Sequence, residues 1–253
     1  MFPGLGTLVN VVAVLLGTVI GVIVGNRLPV RTREVVTDAL GLVTLAIAAT
    51  AAMSVQDGAL VASVGSSAPM LIVLGSLLVG GILGSLLGIE ERLERFGGWL
   101  QRRLGRGGVG EETPAVDRQR FIEGFVTASL VFCVGPLTVL GSLNEGLGNG
   151  AEELYLKSAL DGFAAVAFAA SFGWGVGASA LSVLAVQGSL TALGAMLGDV
   201  LPDAHVAALT ATGGLMLVGV ALRLLRLKQL PVGDLLPGLL IAPLLTALVI
   251  TLR

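Results

Sequence analysis

"GPLTVLGSLNEGLGNGAEELYLKSALDGF", residues Gly135 to Phe163, interrupts a chain that otherwise reads as dissolved in lipid. A Gly-Pro pair breaks an apolar run, and Asn144, Glu145, Lys157 and Asp161 follow in quick succession. Pro136 has no amide hydrogen and clashes with the preceding turn, so it predicts a helix broken at Gly135-Pro136. Counted from Phe121, the break falls past the middle of an apolar stretch that ends at Leu143. Carbonyls freed near Phe132 find no partner in lipid, so the break is expected to face protein or a water-filled cavity. A packing kink is the plainer reading of the same proline; a broken helix that binds a substrate is the functional one.

The rest of the chain sets the context. Of 253 residues, 55% are hydrophobic and 13% charged, and the mean hydropathy is +0.94. Soluble domains carry about 25% charged residues, so the composition points to an all-α, polytopic membrane helix bundle. The single Cys133 excludes an intrachain disulfide, and with the single His205 it argues against a Cys/His zinc site. No nucleophile-base pair and no phosphate-binding loop is recognisable: "GRGGVG" has no strand before it and no Lys-Ser/Thr after it. The expectation is therefore a non-enzyme with no catalytic residues, no metal site and no cofactor.

A bilayer needs about 20 apolar residues per helix. Candidate spans are Leu5 to Gly25, Ala39 to Val55, Ala68 to Ile89, Phe121 to Leu143, Val206 to Leu225 and Leu235 to Leu252. The run from Ala159 to Leu201 would make roughly 64 Å of helix, enough for two crossings, with the turn at "GWGVG" (Gly173 to Gly177) or at Gln187-Gly188. That predicts about eight membrane segments, with seven as the alternative. Positive charge favours eight. With both termini outside, Arg27, Arg31, Arg33, the arginines from Arg92 to Arg120, and Arg223, Arg226 and Lys228 all fall on the cytoplasmic side. The N-terminal run has no basic residue before it and is expected to be the first span, not a cleaved leader.

One integral membrane domain over residues 1–253 is expected. Between spans three and four, "EERLERFGGWLQRRL" spaces Leu93, Phe96, Leu100 and Leu104 by threes and fours among arginines. It predicts an amphipathic helix near residues 90–104 on the cytoplasmic membrane surface, followed by a flexible loop to residue 120. Gly17, Gly21 and Gly25, and likewise Gly80, Gly84 and Gly88, form smooth helix faces for close packing, within one chain or across a homo-oligomer.

Asn10 lies in the first span and needs polar partners there. Lys157 and Asp161 are four apart, so they share a helix face and can pair. Ser158 adjoins that face, and Asn144 and Glu145 stand at the outer end of the broken helix. An ion pair at the interface would account for Lys157, which can snorkel, but Asp161 is shorter and harder to place there. The candidate ion- or substrate-binding residues are therefore Asn10, Asn144, Glu145, Lys157, Ser158 and Asp161.

The segments "GTLVNVVAVLLGTVIGVIVG", "FCVGPLTVLGSLNEGL", "LYLKSALDGF" and "VQGSLT" resemble the YqgA/YdfK family of bacterial inner-membrane proteins. The likeness spans essentially the whole chain. It implies the bacterial cytoplasmic membrane, where the family is grouped as a domain of unknown function and described as candidate transporters. It implies no binding residues. The reading that results is a transporter or channel for a small ion or polar solute, leaning to a cation or a proton-coupled solute. The alternative is a non-transporting assembly or sensory protein. Expected partners are the lipid bilayer, a small ion or solute, and a second copy of the chain. No basic face suggests nucleic acid.

Overall fold

The computed structural model describes residues 3–25, 27, 29–104, 114–133, 136–197 and 202–252. Gly135 of the expected break and residues 105–113 of the loop expected up to residue 120 lie outside them; residues 114–120 are helical. Among the described residues every regular element is helical. The order is α1 (Leu5–Gly25), α2 (Val30–Ala52), α3 (Gly58–Val64), α4 (Ala68–Leu87), α5 (Ile89–Leu104), α6 (Pro114–Cys133), α7 (Pro136–Gly146), α8 (Glu152–Phe172), α9 (Gly175–Ala178), α10 (Ala180–Leu197), α11 (Asp203–Leu224) and α12 (Pro237–Leu252).

Local chemistry explains several of the ends. The Asp57 carboxylate accepts the amides of Ala59 and Leu60 and so caps α3. Helix α4 stops at Gly88, which adopts the left-handed conformation (φ 60°, ψ 47°) that glycine enters without strain. Gly88 thus ends a helix and does not extend the packing face of Gly80 and Gly84 as its spacing suggests. Helix α8 stops at Gly173 (φ 73°), and α9 begins two residues later. The long apolar run therefore turns at "GWGVG"; Gln187-Gly188 lies inside α10.

The chain forms two compact units. The first holds α1, nearly all of α5 and α6 through α10. Here α1 lies on α8: a Cβ at Gly17, Gly21 or Gly25 would collide with the carbonyls of Gly162, Val166 and Ala170 in turn. Both partners advance by four in the same sense, so the two helices run parallel at backbone contact. Helix α5 packs Gly97 against Phe125 of α6 and buries Leu100, while Phe96 and Trp99 stack on each other and stay partly exposed.

The second unit holds the C-terminal part of α2 with α3, α4, α11 and α12. Gly80 and Gly84 pack against Gly238 and Asp234, so α4 and α12 are antiparallel. Gly41 faces Leu225 and Gly214 faces Ala52, which sets α2 antiparallel to α11. The glycine faces of both units are thus used within the chain. Glu90 closes this unit: it accepts from Arg223 and from the Gly233 amide at 2.6 Å, and its own amide donates to Asp234 at 2.9 Å.

Burial is turned inside out relative to a soluble protein. Thr7, Asn10 and Thr18 of α1 are buried, whereas Leu8, Val12, Leu16, Ile20 and Ile23 are exposed. Large exposed apolar faces of this kind suit lipid contact. Six helical segments are long and apolar enough to cross a membrane, or seven if the bent α6–α7 pair is one span. By length and composition the chain thus reaches the expected alternative of seven but not eight. Helix α8 is as long as α1 at 21 residues but carries Glu152, Glu153, Lys157 and Asp161, and it is not among the six. The second span is also longer than its sequence suggested, running over Glu34–Val64.

Candidate functional site

The break at Pro136 turns the chain by 75° between α6 and α7. Proline suits the first position of α7, where its missing N–H would be unpaired in any case. The carbonyl that this leaves behind is answered from within: Thr138 Oγ1 donates to Phe132 O at 3.0 Å, with Thr138 fully buried. A hydroxyl two residues beyond the proline thus makes a sharp bend tolerable away from water.

The bend brings α7 against the start of α1 and the C-terminal part of α10. Glu145 is 5% exposed. Its Oε1 accepts the Gly6 amide at 2.5 Å, one of the donors that the start of a helix leaves unpaired. Its Oε2 accepts from Thr191 Oγ1 of α10 at 3.4 Å. Glu145 therefore joins α7, α1 and α10 in a single node.

One turn further along α1 lies the ion pair. Lys157 Nζ donates to Asp161 Oδ2 at 2.5 Å, and Asn10 Nδ2 donates to the same oxygen at 2.9 Å. Lys157 is 5%, Asp161 7% and Asn10 0% exposed. The glycine contact between α1 and α8 is what allows this. Backbones in contact bring a short asparagine within reach of a short aspartate.

Of the six predicted ligands, the structure brings Asn10, Lys157 and Asp161 together and sets Glu145 one turn away. It places Asn144 and Ser158 otherwise. Asn144 donates to both carboxylate oxygens of Glu153 at 3.0 Å. Ser158 donates back to Leu154 O at 2.6 Å, inside its own helix. Both side chains are engaged by protein groups away from the Lys157–Asp161 pair.

Other polar groups escape sequence reasoning. Thr7 Oγ1, Asn10 Oδ1, Ser142 Oγ and both amide atoms of Gln187 are buried without a hydrogen-bond partner among the described residues. The sequence offers Gln187 as a possible turn and as part of the family-like "VQGSLT". Its signal in the sequence is an amide side chain inside a long apolar run; its full burial belongs to the fold.

The chain can be compared with known proteins. The family described as "Protein of unknown function (DUF554)" matches residues 5–247. The protein is 30% identical over 243 residues to "Uncharacterized protein YqgA" of Escherichia coli (strain K12), covering 96% of each chain. It is 26% identical over 239 residues to "Uncharacterized membrane protein YdfK" of Bacillus subtilis (strain 168), covering 94% of this chain and 93% of the relative. No solved structure matches. A family match over nearly the full length, apolar helices long enough to cross a bilayer and a relative named as a membrane protein give one conclusion: the chain is a multi-pass membrane protein that belongs to the DUF554 family.

Proposed function

We propose that the protein transports a small ion or polar solute across the bacterial cytoplasmic membrane, through the site around Asn10, Glu145, Lys157 and Asp161. The observation that carries this reading is the buried Lys157–Asp161–Asn10 cluster on α1 and α8. Ionisable groups inside a membrane segment are costly, and where they persist they mark ion or substrate pathways. The bent α6–α7 pair beside the cluster supports the same reading, because discontinuous helices build the binding sites of many transporters.

An eight-span topology with both termini outside accommodates the pairing directions within each unit. Helix α8 runs parallel to α1 along its length, so if α1 crosses the bilayer, α8 crosses with it. The antiparallel pairs α4–α12 and α2–α11 also fit strict alternation. A cation or a proton-coupled solute is favoured, since two carboxylates serve the site against one lysine.

Purified protein in liposomes is the test, with a panel of ions and small polar solutes. An Asp161→Asn variant that inserts normally is expected to lose flux. Unchanged flux in both Asp161→Asn and Glu145→Gln removes this site. A non-transporting role has one observation in its favour: the cluster is closed and bonded at 2.5 Å, as a structural clamp would be. In that case no solute moves, and the variants alter only stability.

A further inference from the structure

We infer that Glu145, Thr7, Asn10, Ser142 and Gln187 form a binding site for a dehydrated monovalent alkali cation. The inference deepens the transport reading and rests on it for the ion's purpose; its chemistry stands on placement, burial and charge.

The placement follows from register. Glu145 touches Gly6 on α1 and Thr191 on α10. Thr7 is the residue after Gly6, and Asn10 is one turn beyond it on α1. Ser142 is one turn before Glu145 on α7, on the face it shares with buried Thr138. Gln187 is one turn before Thr191. Helices α1 and α10 run in opposite senses: Thr18 of α1 lies by Gly177, just before α10, while Gly6 and Thr191 meet through Glu145 near its other end. Stepping back one turn from Thr191 therefore moves Gln187 to the level of Asn10. By helix register, each of the four residues is thus within about one turn of Glu145 itself or of a residue that bonds to it.

Burial shows that the protein leaves these groups unanswered. Asn10, Ser142 and Gln187 are 0% exposed and Thr7 is 2% exposed. Thr7 Oγ1, Asn10 Oδ1, Ser142 Oγ and the Gln187 amide have no hydrogen-bond partner among the described residues. Buried polar groups are almost always satisfied, by protein, by ordered water or by a ligand. A buried amide without partners destabilises the fold, so an unanswered Gln187 calls for a ligand.

Charge selects the ligand. Lys157 and Asp161 neutralise each other. Glu145 has only neutral donors, Gly6 and Thr191, and no cationic side chain pairs with it among the described residues. Among the described residues Glu145 is thus the one buried carboxylate without a cationic partner, a charge that one monovalent cation balances. A divalent ion would overshoot and an anion has the wrong sign. A proton on Glu145 would also balance the charge, but it needs none of the surrounding neutral oxygens. A hydroxyl, an amide carbonyl and a carboxylate are the oxygen ligands that replace a hard cation's water.

The test uses the full chain in detergent or nanodiscs, with sodium as the probe. Thermal unfolding is followed as sodium chloride replaces choline chloride at constant ionic strength and pH, with potassium in parallel. A ligand that binds only the folded state raises Tm with a saturable dependence. The expected result is a saturable rise with sodium or potassium that choline does not give. Glu145→Gln and Gln187→Met are each expected to weaken the apparent affinity at least tenfold, and Gln187→Met is expected to be as stable as the parent in choline. Equal Tm in choline, sodium and potassium overturns the site. So does a Tm that responds to pH alone, or a Gln187→Met protein already destabilised in choline. Sodium binding without any solute flux retains the site and removes the transport reading. Flux indifferent to sodium and to Gln187→Met does the reverse.

Discussion

Replacing Lys157 by methionine isolates what the buried pair contributes. The change keeps most of the aliphatic volume and removes the charge that sits 2.5 Å from Asp161 Oδ2. Asp161 would keep only the Asn10 amide at 2.9 Å. Side-chain exposures of 6% for Lys157 and 10% for Asp161 put the pair beyond effective solvent screening. Breaking a buried pair from one side costs about 3–5 kcal/mol, mostly the penalty of the charge left behind. For a chain of this length each kcal/mol moves Tm by about 2–4 °C, so a fall of about 6–20 °C is expected. Replacing both partners, as Lys157→Met with Asp161→Leu, removes the penalty along with the attraction and should return most of the loss. Thermal unfolding of the parent, Lys157→Met, Asp161→Leu and the double variant in one detergent gives the double-mutant cycle. A loss below about 1 kcal/mol for Lys157→Met would mean that water reaches Asp161 freely, and the burial argument would fail.

Four further outcomes test the framework of the two units. Gly21→Ala drives a methyl into the Val166 carbonyl and should separate α1 from α8, lowering folded yield, whereas a Cβ at Gly162 meets Ala13 Cβ at 3.4 Å, an ordinary contact. Gly162→Ala should therefore match the parent or gain about 0.5–1 kcal/mol in the same unfolding assay. Thr138→Val removes the donor to Phe132 O and should cost about 1–3 kcal/mol, because that buried carbonyl then has no replacement. Glu90→Ala removes the acceptor shared by Arg223 and the Gly233 amide; it should expose the segment before α12 to protease, read as faster cleavage near residues 230–236.

Much of this molecule follows from one-dimensional chemistry. Long uncharged runs dictate membrane helices because a bilayer offers the backbone no hydrogen bonds. Pro136 dictates a break wherever it is placed, and an i, i+4 spacing makes Lys157 and Asp161 neighbours in any helix. None of that needs a partner helix. What requires one is everything between elements. Asn10 meets Asp161 only because Gly17, Gly21 and Gly25 let α1 touch the backbone of α8, and those residues are about 150 positions apart in the chain. The 75° bend, which turns Glu145 onto Gly6 and Thr191, is a direction that proline permits but does not specify. Asn144 and Ser158 looked available because composition cannot show that Glu153 and Leu154 O already hold them. Gln187 looked like one more polar residue in a helix until packing enclosed it on every side and left its amide unanswered. Hydrogen bonding within a helix is local and readable from spacing. The satisfaction of a buried side chain is a property of its surroundings, and only the tertiary structure supplies those.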